Sequence, residues 1–305
     1  MGGGHTNADL VAAVSEAGGF GTLGCAFLNA QQIRDSVSAI RGQTSKPFAL
    51  NFLLFTIDED SFATGLKEKP AAIAFAWPRP DQDLKHYIDR AHDAGCKAAV
   101  MAGSVPEAAR AATAGADIII AQGTEGGGHV GWMATMVLTP MVVDSVSPIP
   151  VLAAGGIADG RGLAAALALG AEGVLLGTRF LATDEAPYHP NFKQAIVQSD
   201  GHDTILTNIP DVAMNVVWPG AMSRVARNKF VERWSAHEWG LRQRQREVAA
   251  QLMAAYKAGN TDEAPLFYGQ DAGLIRDIAP AAEIISRMVT EAEAVLAGRL
   301  AASLK

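Results

Sequence analysis

Seven short apolar runs recur along the first 176 residues: FGTL (20 to 23), FALNFL (48 to 53), AIAFAW (72 to 77), AAVM (98 to 101), DIIIA (117 to 121), VLAA (151 to 154) and GVLL (173 to 176). Between them lie patterns with the i, i+3, i+4 spacing of a helix that buries one face, such as Leu10, Val11 and Val14, then Ile33, Val37 and Ile40, then Leu84, Ile88 and Ala91. Near-continuous apolar strands alternating with amphipathic helices require a parallel sheet covered by helices. Such a sheet either closes into a barrel or stays open and doubly wound, and spacing alone does not choose. The 305 residues exceed the ~250 typical of one β/α barrel, so one barrel with an insertion is the leading reading of the length.

Helix punctuation supports this division. Ser104 and Glu107 form an S-x-x-E capping box, and Gly18, Gly95, Gly115 and Gly170 sit where helices should stop. The rhythm breaks at residues 184 to 272, where YHPNF, SDGHD and IPDV turn signals precede a stretch holding Trp234, Trp239, Arg242, Arg244 and Arg246. A mostly helical insertion is the simplest account of that segment. Pro280 then opens a last amphipathic helix through Ile284, Ile285, Met288 and Leu296, suited to return to the outer ring. The expected organisation is a barrel over 1–183, the insertion over 184–272 and the returning helix over 273–305.

The formal charge of −7 is spread without a long run of one sign, which argues against nucleic acid or an anionic membrane as partner and favours a small molecule. Cys25 and Cys96 match no disulfide framework or zinc spacing. No apolar segment reaches the ~18 residues of a membrane span, and MGGGHTNADL lacks the regions of a signal peptide, so a cytoplasmic protein is expected. A homo-oligomer is compatible with the sequence, which does not fix one.

Chemistry concentrates at three strand ends. DIIIA runs into AQGTEGGGHVG, with five glycines from Gly123 to Gly131 that let backbone approach a ligand closely. From this loop alone, a flexible turn with an incidental histidine is an equal alternative. A Glu125/His129 metal pair is disfavoured, because three intervening glycines oppose a helical i, i+4 arrangement. PVLAAGGIADG ends a strand in Gly155–Gly156 before Asp159 starts the next helix, and GVLLGTRF follows one βα unit later with Gly177 and Thr178. Two glycine-rich ends at consecutive strands match the phosphate site that barrels place after their last two strands.

The stretches AQGTEGGGHVG, PVLAAGGIADGRGLAAALALGAEGVLLGTRFLAT and YGQDAGLIRDIAPAAEII strongly resemble the nitronate monooxygenase family, also called 2-nitropropane dioxygenase-like, and the likeness runs from the first residues to the last helix. The resemblance implies an FMN-dependent oxidoreductase on a TIM-type parallel β/α barrel, with His129 at the active-site histidine position. It implies flavin contacts at Asn51, Gln122, Gly127, Gly128, Gly155, Gly156, Gly177 and Thr178, and it implies oxidation of an alkyl nitronate, or of a nitroalkane, by dioxygen to a carbonyl compound and nitrite. An FMN-dependent enoyl-acyl-carrier-protein reductase, which shares the glycine-rich histidine loop and the GG and GTRF motifs, is a rival reading, an NAD(P)H:quinone reductase on the same scaffold is another, and a non-catalytic flavin-binding protein is a third. Two departures from the family stand out. Met101 occupies a strand end that is often Lys or Gln in relatives, and the chain begins at the Met of a usual Ala-Pro-Met motif. The first barrel strand is therefore expected to be missing, leaving a gap between the strands at 20 to 23 and 173 to 176. An open reading frame starting upstream of Met1, or another segment filling the seam, would account for it.

Overall fold

The computed structural model describes residues 4–300; residues 1–3 and the last five, including the end of the expected C-terminal segment, lie outside that range. Among the described residues there are ten strands: β1 Gly21–Gly24, β2 Phe48–Leu53, β3 Ala72–Ala76, β4 Lys97–Ala102, β5 Ile118–Gln122, β6 Gly128–Val130, β7 Val151–Ala154, β8 Gly173–Leu175, β9 Thr204–Thr207 and β10 Met222–Ala226. Seven of them pair in parallel in the order β1-β2-β3-β4-β5-β7-β8. That order follows the chain without reversal, so the sheet curls as a barrel does and has no switch point of the doubly wound kind.

The two-residue period of each strand divides its side chains between two layers. Leu50 and Phe52, Ile73 and Phe75, Ala98 and Val100, Ile119 and Val151 face the helices and build the main core. Ala74, Ala99, Ile120 and Ala154 form the inner layer, with Met101, Leu152 and Leu175 against it. Small inward residues fill little of the interior, and this leaves room inside the curl.

The sheet does not close. Among the described residues β1 and β8 are unpaired at the two edges, and the gap falls where the repeat count puts it. The helix Ala281–Ala294 packs on both Gly160–Ala168 and Ala8–Glu16, so it bridges the helices beside the two edges and covers the seam from outside. Behind it lies a cavity of about 220 Å³ whose wall includes Gly21, Thr22, Val174 and Ile285.

Local signals act largely as the sequence leads one to expect, with one difference. Gly18, Gly95, Gly115 and Gly170 all take φ between 81° and 98° at helix ends, the left-handed region that glycine tolerates best. At the S-x-x-E box, Ser104 Oγ accepts from Glu107 N–H, but the Glu107 carboxylate accepts from Gly103 N–H at 2.7 Å. The reciprocal arm thus closes one residue earlier and stiffens the strand end instead. Asp159 caps Gly160–Ala168 by accepting from the N–H groups of Arg161 and Gly162 at 3.0 and 3.3 Å. Asp159→Ala is expected to cost about 1 kcal/mol, read as a fall in urea midpoint at unchanged slope; no shift would show that the capping bonds contribute nothing net.

Residues 184–272 carry the helices Pro190–Gln198, Ile209–Met214, Lys229–Ser235, Glu238–Gln243 and Gln245–Lys257. The same segment also supplies β9 and β10, which join β6 from the glycine-rich loop in an antiparallel sheet of order β6-β10-β9. Arg224 on β10 ties this sheet to the barrel, donating to Thr124 C=O at 2.8 Å and to Thr204 Oγ1 at 3.2 Å. Among the described residues no helix is long and apolar enough to cross a membrane.

Candidate functional site

A cavity of about 820 Å³ opens at the C-terminal ends of the strands, within the size range of cofactor sites. The inward layer continues into its floor, where Asn51, Ala76, Met101, Gln122, Ala154 and Leu175 lie at or near the C-terminal ends of their strands. Asn51 is buried and spends its Nδ2 on Ala74 C=O at 3.2 Å. Gln122 keeps a buried Oε1 with no hydrogen-bond partner. An orphaned buried acceptor is costly unless a ligand satisfies it. Met101, between these polar ends, offers only a thioether.

Three backbone segments approach one another at one side of the cavity. A Cβ on Gly127 would lie 2.5 Å from the backbone of Tyr268 and Gly269, and one on Gly155 would lie 2.7 Å from Gly123 C=O, so both positions exclude any side chain. Gly177 and Gly128 differ: a Cβ there meets nothing within 4 Å and would project into open space. The Thr178 hydroxyl accepts from Gly269 N–H at 3.0 Å, which clamps the turn Gln270–Leu274 over the GTRF turn. Glu125 caps Thr135–Val146, accepting from Thr135 N–H at 2.9 and 3.0 Å and from its hydroxyl at 3.0 Å.

His129 sits on the opposite wall, and the antiparallel sheet explains its setting. On β6 it pairs directly across from Ser223 on β10, which brings the two side chains together. His129 Nε2 lies 2.9 Å from Ser223 Oγ and 2.8 Å from Asp211 Oδ1, while Ser223 Oγ donates to Asp211 Oδ2 at 2.9 Å. An ionised carboxylate only accepts, so the 2.8 Å contact places the ring proton on Nε2 and leaves Nδ1 with the lone pair in the neutral ring. Trp218 stacks on the imidazole, centroids 3.4 Å apart at 12°. Phe55 and Trp77 pack on Trp218 and complete an aromatic wall. Trp77 takes φ 56°, a left-handed conformation that is unusual for a bulky residue.

The structure thus brings Asn51, Gln122, Gly127, Gly128, His129, Gly155, Gly177 and Thr178 to one cavity. Gly156 stands apart: it follows Gly155 in the turn, but its Cα side faces Glu125, 3.2 Å from a notional Cβ, outside the cavity lining. Asp211, Ser223, Trp218 and Asp271 belong to the site and carry no short-range signal in the sequence. IPDV reads only as a turn, and the pairing of β6 with β10 spans ninety-odd residues. A β-like MSRVA run opposite a histidine-bearing loop is the only available hint.

A curled parallel sheet with an apolar pocket at its strand ends, two adjacent glycine turns and an anchored histidine defines a small-molecule site of the half-barrel type. The family model for nitronate monooxygenase matches residues 1–69 and 58–291, and the chain belongs to that family. A Staphylococcus aureus (strain MSSA476) protein described as "Probable nitronate monooxygenase" is 31% identical over 341 aligned positions, covering 96% of this chain and 93% of that one. Among solved structures, FabK from Thermotoga maritima superposes with a TM-score of 0.87 at 35% identity, over 98% of this chain and 92% of the other. Nitroalkane oxidase from Streptomyces ansochromogenes does so with a TM-score of 0.84 at 28% identity, over 97% and 95%.

Proposed function

We propose that this chain binds FMN in the large cavity and oxidises alkyl nitronates, or the parent nitroalkanes, with dioxygen to a carbonyl compound and nitrite. The observation that carries the reading is the His129–Asp211–Ser223 array facing the same cavity as the orphaned Gln122 Oε1 and the open side of Gly177. The residues fit a flavin. Gln122 needs a donor, Gly155 and Gly177 leave backbone bare for a phosphate, and Thr178 adds a hydroxyl beside it. When bound, FMN supplies the electron-transfer chemistry between the organic substrate and dioxygen.

The remaining work falls to the chain itself. Asp211 and Ser223 fix the His129 tautomer, so that Nδ1 is the nitrogen able to take an α-proton from a nitroalkane; a protonated ring would instead hold the nitronate anion. Trp218 fixes the plane of the ring, and the aromatic wall of Phe55, Trp77 and Trp218 excludes water and suits an alkyl chain.

Likeness to FabK gives a second reading, an FMN-dependent enoyl thioester reductase driven by NAD(P)H, and one experiment separates the two. Protein loaded with FMN is mixed anaerobically with an alkyl nitronate or with NADH, and loss of the oxidised-flavin absorption is followed. Fast bleaching by nitronate and slow bleaching by NADH is the expected result. The reverse order selects the reductase reading, and absence of a flavin spectrum after reconstitution removes both.

A further inference from the structure

Asp271 is an acid placed where an anion is expected to bind. It lies in the turn Gln270–Leu274, is 5% exposed, and lines the large cavity beside Gly177 and Thr178. Its Oδ1 is buried without a hydrogen-bond partner. The turn is held rigidly: Gly269 N–H donates to Thr178 Oγ1 at 3.0 Å and Gln270 N–H to Glu125 C=O at 2.9 Å. These bonds hold the backbone that carries the carboxyl beside the glycine cradle.

The charged groups around it act in opposite directions. Glu125, on the glycine-rich loop, adds a like charge. Arg179, on the helix Thr178–Leu181, is the cation that acts on it and pulls it down, but its Nη atoms are held by Asp277 Oδ1 at 2.9 Å and by the carbonyls of Ala182 and Asp277, and its Nε is buried without a partner. Lys193, on the helix packed against the turn, donates to the carbonyls of Thr183 and Asp184. No Lys or Arg lines the cavity among the described residues.

We propose that Asp271 holds the phosphate of the bound cofactor as a neutral acid, donating its proton to a phosphate oxygen, so that FMN binding takes up a proton and weakens in alkaline solution. The inference rests on the flavin reading above and adds to it the residue that recognises the phosphate. An ionised carboxylate in the same place would repel the phosphate, whereas an O–H donor to an anionic oxygen makes a short, strong bond. Burial pushes the Asp271 carboxyl up to about 7, against the Thr178 hydroxyl, which pulls it down. The sign follows from linkage. The free protein loses this proton as pH rises through that value, and each FMN bound above it must restore one.

The test measures FMN and riboflavin dissociation constants by flavin fluorescence quenching from pH 6.5 to 8.5, with calorimetry in two buffers of different ionisation enthalpy to count protons. Wild type is expected to lose FMN affinity on the order of tenfold across that range, with proton uptake approaching one at the alkaline end. Riboflavin, which has no phosphate, should bind without either signature. Asp271→Asn keeps a donor at every pH, so its FMN profile should be flat and its proton uptake nil; Asp271→Ser does the same should the amide disturb folding. Tight FMN binding by wild type that is flat in pH, or a wild-type profile kept by both variants, overturns this assignment and leaves the flavin reading intact. Failure of both flavins to bind at any pH overturns the two together.

Discussion

His129→Ala is expected to leave FMN bound and to lower turnover of neutral nitroalkanes by roughly 10² to 10⁴, the scale of a lost general base. The cofactor should stay because the cradle lies on the other side of the cavity, at Gly155, Gly177 and Thr178, and shares no hydrogen bond with the imidazole. Turnover should fall because the groups that contact the imidazole cannot replace it, and the other histidine of the cavity, His5, packs among Tyr188, Tyr256 and Phe267. Asp211 and Ser223 are turned toward Nε2 and toward each other, and Trp218 has no basic atom. With a preformed nitronate the α-proton is already gone, so the loss should be clearly smaller and should fall mainly on KM. Steady-state oxygen consumption with both substrate forms reads the difference. Equal turnover by wild type and variant would remove His129 from the chemistry, and equal losses on both substrates would make it a binding group rather than a base.

The parts of this site that the sequence exposes are those written in short-range patterns. Strand parity is one: Asn51, Ala74, Ala99, Ile120 and Ala154 alternate with core residues that face the helices, so a period of two already tells which side chains line the interior. Glycine is another. The turns at Gly155 and Gly177 stand out because their positions follow strand ends, and Gly155 does take φ 96°. Even the open seam is visible as a count of seven runs.

What stays hidden is set by long-range pairing. Asp211 and Ser223 reach His129 only because β10 returns antiparallel to β6, and the segment that contains them breaks the βα rhythm that makes the rest legible. Gly156 shows a second limit of short-range reading. Its neighbour Gly155 borders the cavity, but the turn rotates the next residue toward Glu125, and a sequence motif treats the two glycines alike. Asp271 lies in plain view within YGQDAGLIRD, yet its burial and its orphaned oxygen are properties of the folded cradle.

Gly177→Asp is expected to raise the FMN dissociation constant by about 100-fold or more, equivalent to roughly 2.7 kcal/mol, while leaving the fold intact. Gly177 has φ −114°, outside the left-handed region, so an L side chain fits the backbone there without strain. A Cβ at this position meets no atom within 4 Å, so the new carboxylate would enter the cavity beside Thr178 rather than press on the core. There it would face the phosphate. Two unit charges about 4 Å apart repel by about 4 kcal/mol at an effective dielectric constant near 20, and side-chain rotation or water entry reduces that figure without removing it. Gly177→Ala isolates the steric share, since it adds the Cβ without the charge, and it should weaken FMN less than tenfold. Riboflavin provides the second control: lacking the phosphate, it should distinguish wild type from Gly177→Asp far less than FMN does. A folded Gly177→Asp protein that binds FMN as wild type does would place the phosphate elsewhere in the cavity. A riboflavin loss as large as the FMN loss would mean that the ring system, not the phosphate, lies against Gly177. Because Asp271 already brings one acid to this cradle, a second fixed at Gly177 also shows how much negative charge the site accepts before the cofactor is refused.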